Sequence, residues 1–140
     1  MTLRATFDTN VHVSALNYEG PPAQLLALAA LGAFQLQLSD AILDEISRVL
    51  LEYFNWNSAD IQDARTMLQT ISQHVHPHII LNVVERDPDD NHILECSQAS
   101  RSDYIVTKDK HLLDLKIYAG ARIIKPHEFL CIMQQHAQEL

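Results

Sequence analysis

Four carboxylates stand at points where this chain changes character. Asp8 closes the apolar stretch "LRATF". Glu45 lies within "DAILDEISRVL", Asp90 within the acidic run "RDPDDN", and Asp109 just beyond "DYIVT". Oxygen donors of this kind suit hard divalent cations such as Mg²⁺ and Mn²⁺, with water completing the shell. Brought together without a cation, a shared proton or a basic partner, they would repel one another. Chemistry therefore depends on whether the fold collects them.

The elements that must position them alternate in type. "LRATF" (3–7), "FQLQL" (34–38), "HIILNVV" (78–84), "DYIVT" (103–107) and "ARII" (121–124) read as strands. Between them, helices are expected over 21–31, 40–54, 58–73 and 90–99, with a short turn in "KHLLDL" and a last helix opened by Pro126. Pro21 and Pro22 suit a first helical turn, Ser39 or Asp40 and Ser58 suit caps, and Asp90 or Asn91 can cap the helix that follows. Strands alternating with helices imply an α/β/α sandwich around a parallel sheet of about five strands. At 140 residues, one domain over 1–140 is expected.

In such a sheet, ligands bind beyond the carboxyl ends of the strands. Asp8, Asp90 and Asp109 all fall at that edge. The fourth acid should come from the 40–54 helix, where Asp44 and Glu45 compete. Asp44 has Arg48 one turn later and is assigned to solvent. Glu45 flanks the apolar face of Ile42, Ile46 and Val49 and is assigned to the site. Each acid also has a plainer role: an Asx-turn for Asp8, a cap for Asp90, a turn residue for Asp109, a helix surface for Glu45. Asp89 is expected to face solvent.

Composition narrows the classes. A net charge of −8 argues against a nonspecific nucleic-acid coat. The charge is uneven, however, because residues 101–125 carry six basic and three acidic side chains. No apolar run reaches membrane-spanning length, so no membrane partner is expected. Two cysteines give no disulfide framework, which fits a reducing cytoplasm. His74, His76 and His78 alternate in "HVHPH" and would share one face of a strand, although Pro77 and the lack of a nearby Cys favour an exposed connection.

"FDTNVHVSAL", "SDAILDEISRVL", "DPDDNHILECSQASRSDYIVTKDKHLLDL" and "IIKPHEFL" together resemble the PIN-domain family, over nearly the whole chain and in order. More narrowly they resemble the toxins of bacterial toxin–antitoxin systems. The resemblance implies a metal-dependent ribonuclease cutting single-stranded RNA with Mg²⁺ or Mn²⁺, an antitoxin partner and a homodimer. It carries the catalytic and metal-ligand roles onto Asp8, Glu45, Asp90 and Asp109, with Asn10 and Thr107 as outer hydrogen-bond partners. Lys108 or Lys110 could meet a phosphate, and Asp87 could support the site. His12 and Lys108 depart from the commoner residues of the pattern. Two other readings stay open: a PIN-fold interaction module with weak or no turnover, and a phosphoacceptor receiver. The receiver lacks its acidic pair after the first strand.

Overall fold

The structure, a computed structural model, describes residues 2–78 and 88–138. Its elements run β1 (Arg4–Phe7), α1 (Thr9–Asn17), α2 (Pro21–Ala30), β2 (Gln35–Ser39), α3 (Asp40–Phe54), α4 (Ser58–Ile71) and β3 (Ser72–Val75). Then come α5 (Pro88–Ser100), β4 (Tyr104–Val106), α6 (Lys110–Leu113), β5 (Ile117–Tyr118), β6 (Ala121–Ile124) and α7 (Pro126–Gln138). Among the described residues the sheet has the order β3-β2-β1-β4-β6-β5. Every pairing is parallel except β5 with β6.

The α/β architecture expected from the alternation is present, with three corrections. Among the described residues the sheet has six strands, one of them added where "IYAGAR" folds back as a hairpin. Ala119 and Gly120 both take positive φ, 48° and 85°, the backbone that a two-residue hairpin loop requires. The strand beside β2 is Ser72–Val75, within a stretch read as helix end and connection. Its central pair, Gln73 and His74, is exposed, so it shows no apolar alternation. The strand expected over 78–84 lies outside the described residues but for His78. Finally, α1 was not expected. "NVHVSALN" is rich in residues of modest helix propensity, and burial of Val11, His12 and Val13 overrides that preference.

Caps shift by a residue or two. Ser39 caps α3, its hydroxyl accepting from the Ile42 amide at 3.3 Å. Asn57, not Ser58, caps α4, accepting from the Asp60 amide at 2.8 Å. Pro88 opens α5, so Asp90 falls within its first turn.

Alternation along the strands divides the core. Phe7 packs with Phe34 and Phe129, ring centroids 5.8 and 6.4 Å away, on the face that α2 and α7 cover. Thr6 points to the other face, where its hydroxyl shares a hydrogen bond with Ser102 at 2.9 Å and meets Cys96 of α5. Burial pushes the Cys96 thiol up to about 12, while the Thr6 and Ser39 hydroxyls pull the other way. Both cysteines are free thiols. His12 is fully buried against Phe7, ring centroids 5.4 Å apart, and neither ring nitrogen has a hydrogen-bond partner. Its departure from the family pattern is thus a core feature, not a substrate contact.

Candidate metal centre

The central pair of strands sets the site. Phe7 lies opposite Val106, and the Asp8 amide donates to the Val106 carbonyl at 2.9 Å. This brings Asp8 beside Thr107, whose hydroxyl donates to Asp8 Oδ2 at 2.7 Å. The same hydroxyl accepts from the Asp109 amide at 2.9 Å. One threonine therefore holds both acids. Asp8 occupies the N-cap position of α1, where its carboxylate makes no full cap hydrogen bond but feels the Asn10 and Thr9 amides. Asp109 caps α6, accepting from the His111 amide at 2.8 Å.

Asp90 arrives from the first turn of α5. Carboxylate oxygens of Asp8, Asp90 and Asp109 lie within 4.8 Å of one another. Asp8 and Asp90 are buried and Asp109 is half-buried. Burial raises the Asp8 pKa above its ordinary 3.8; the Thr107 hydroxyl opposes that, and the Asp109 charge reinforces it. An arrangement this costly in charge is one that a divalent cation would relieve. All-oxygen donors with room for water suit Mg²⁺ or Mn²⁺ better than softer ions.

The three acids face a cleft of about 530 Å³ whose walls include Asn10, Val13 and Ser14 of α1 and Glu45, Arg48 and Tyr53 of α3. Glu45 is largely buried, its side chain 16% exposed, whereas Asp44 is 71% exposed. The helix phase expected from the apolar spacing therefore holds, but the pairing does not. Arg48 binds Glu45 through two guanidinium contacts, one of 3.1 Å, and reaches Glu52 at 2.7 Å. These partners hold the guanidinium firmly charged. Asp44 instead pairs with Arg65 at 3.2 Å.

Lys108 and Lys110 do not line the acidic cleft. Lys108 borders a neighbouring hollow of about 330 Å³ together with Lys125 and His127, beside Pro21, Pro22 and Pro126. Lys110 is exposed on α6. Asp87 and the side chain of Asp89 lie outside the described residues. Sequence reasoning missed Arg48 as a cleft residue, although its i,i+3 spacing from Glu45 was available. It also missed Ser14, because the spacing of Asn10, Val13 and Ser14 has meaning only once α1 is known to be a helix.

A family model described as "PIN domain" matches residues 4–111. The chain belongs to the PIN-domain family. Among solved structures, this PIN-domain chain resembles one from the crystal structure of VapBC2 from Rickettsia felis bound to a DNA fragment from their promoter. The TM-score is 0.63 at 14% identity, covering 88% of this chain and 98% of that one. At that identity the likeness is one of fold. No curated protein matches the chain. The family is generally one of nucleases that use divalent metals, and this chain has an acidic cluster just beyond the carboxyl ends of β1 and β4.

Proposed function

We propose that this PIN-domain protein is a divalent-metal-dependent endoribonuclease that hydrolyses single-stranded RNA, and the toxin of a toxin–antitoxin pair. The observation that carries the proposal is the convergence of Asp8, Asp90 and Asp109 within 4.8 Å at the floor of an open cleft, with Glu45 on its wall. In this reading Asp8 and Asp109 are direct ligands of Mg²⁺ or Mn²⁺, and Asp90 binds directly or through water. When bound, the ion lowers the pKa of water and neutralises phosphate oxygens. Thr107 fixes the orientation of Asp8 and the backbone of Asp109. Asn10 stands at the cleft mouth as a further polar partner.

Glu45 is the acid with freedom to act on water. It takes a proton from the attacking water or holds a second ion. Its Arg48 partner is then available to a phosphate oxygen, for which a planar guanidinium is suited. The Lys108, Lys125 and His127 hollow offers the flanking RNA backbone a cationic path on an otherwise acidic protein. Likeness to a VapBC2 chain supports an antitoxin partner for this one. A homodimer is proposed with it, on the family resemblance. Cytoplasmic action is the compartment that fits two free thiols. No helix among the described residues is long and apolar enough to cross a membrane.

The test is cleavage of single-stranded RNAs of varied sequence with Mg²⁺ or Mn²⁺. Wild-type protein should cut, while Asp109→Asn and EDTA-treated protein should not. Wild-type protein that cuts none of them would favour the interaction module.

A further inference from the structure

A second group of donors lies at the same edge of the sheet, two strands away from Asp8. His74 is on β3, opposite Leu38, and His76 follows that strand. Two residues apart on extended chain, they project to the same side. Their rings stack with centroids 4.4 Å apart. Asp40 begins α3 just beyond the Ser39–Val75 pair. Ser39 already caps that helix, so the Asp40 carboxylate is not engaged as its cap. It reaches His74 Nε2 at 2.9 Å through Oδ1. One donor atom from each of His74, His76 and Asp40 lies within 4.8 Å of the others.

We propose that His74, His76 and Asp40 form a binding site for a borderline divalent cation, of which Zn²⁺ is the type, separate from the acidic centre. Metal–ligand bonds of roughly 2.0–2.2 Å require donors somewhat closer together than this. The needed closure is small for side chains that are 46% exposed at His74 and 66% at Asp40. Imidazole nitrogens favour Zn²⁺, Ni²⁺ or Cu²⁺ strongly over Mg²⁺, whereas an all-carboxylate centre is also served by Mg²⁺ and Mn²⁺. The two sites thus differ in donor type. Three protein ligands leave a coordination position for water or for a partner's side chain. An ion here would clamp β3 to the start of α3.

The test uses calorimetric titration of the full-length protein with ZnCl₂ in excess Mg²⁺, which competes for the acidic centre and not for the imidazoles. One Zn²⁺ per chain should bind, and equally well in Asp8→Asn. His76→Ala, at an exposed position, should weaken binding by roughly tenfold or more, since losing even an outer partner of a metal ligand costs that much. Zn²⁺ should also raise the thermal midpoint of wild-type protein but not of His76→Ala. Absence of Zn²⁺ uptake under Mg²⁺, uptake abolished by Asp8→Asn, or uptake lost in His78→Ala and kept in His76→Ala would each overturn the proposal. None of these outcomes depends on RNA cleavage.

Discussion

Replacing Asp8 with Asn should make the metal-free protein more stable and the metal-loaded protein less so. Asp8 is 5% exposed, and its oxygens lie within 4.8 Å of those of Asp90 and Asp109. Two unit charges at that separation repel by roughly 3 kcal/mol at an effective dielectric constant of about 20. Burial, with the Asp109 charge added, raises the Asp8 pKa above 3.8. The folded state therefore holds this proton more tightly than the unfolded state. Stability from the group is full below 3.8 and is lost as pH rises through the raised folded value. Asparagine keeps the shape, and its carbonyl can still accept from Thr107. A net gain of about 1–3 kcal/mol at neutral pH, or roughly 4–12 °C in Tm for a chain of this length, is the expected size. Thermal unfolding in EDTA should show that gain, shrinking as pH falls toward 3.8. With millimolar Mn²⁺ the order should reverse, because only the wild type gains from binding. A variant with unchanged or lower Tm in EDTA would refute the electrostatic account. An undiminished Mn²⁺ response would remove Asp8 from the metal site.

Glu45→Gln should lower single-turnover cleavage of single-stranded RNA by roughly 10²-fold or more and leave first-metal affinity nearly intact, while Asp44→Asn, paired with Arg65 on the far side, should do neither; the opposite result would mean that α3 is rotated. Burial lowers the His12 pKa from 6.5 to about 3, so the unfolded state takes up a proton first and stability is lost as pH falls below 6.5. Denaturant titrations should show a loss of about 2 kcal/mol between pH 6.5 and about pH 5, absent in His12→Leu, which should also be more stable by about 1 kcal/mol at neutral pH for want of orphaned ring nitrogens. Lys108→Ala with Lys125→Ala should weaken RNA binding and make its logarithmic salt dependence shallower by about 1.4, the single-strand value for two phosphate contacts, with Mn²⁺ affinity unchanged by calorimetry.

What the sequence disclosed, and what it hid, follows from where the signal is local. Asp8 and Asp109 could be placed because each follows an apolar strand closely. Glu45 could be phased because Ile42, Ile46 and Val49 mark the buried face of a strongly amphipathic helix. The strand at Ser72–Val75 was hidden because its central residues are polar and it is held by backbone pairing to β2, its one strand neighbour among the described residues, and not by an apolar pattern. Helix α1 was hidden because its β-branched residues advertise extended chain, while the contacts that make it helical come from distant parts of the sequence. Arg48 was assigned to the wrong carboxylate because i,i+3 and i,i+4 partners are equally near along a helix. The deciding factor was Arg65, brought to Asp44 from α4.

The acids of the cleft fall into two mechanical kinds, which bears on the division of labour among them. Asp8 and Asp109 are tied to the ends of adjacent central strands, through the Asp8 amide on Val106 and the Thr107 hydroxyl that touches both residues. Their backbone cannot retreat without breaking the ladder between β1 and β4, so the repulsion between them persists and is released only by a proton or a cation. Persistence of that kind is what makes rigid carboxylates strong ligands: the cost of gathering them is met on folding and not on binding. Glu45 differs. It stands on a helix flank and already has a cation in Arg48, so it adds little net charge to the cleft and can exchange that partner for water, an ion or nothing. Asp8 and Asp109 held against their mutual repulsion, with Asp90 beside them and Glu45 neutralised by Arg48, are what the proposed hydrolase would need to bind its metal before substrate and move its proton afterwards.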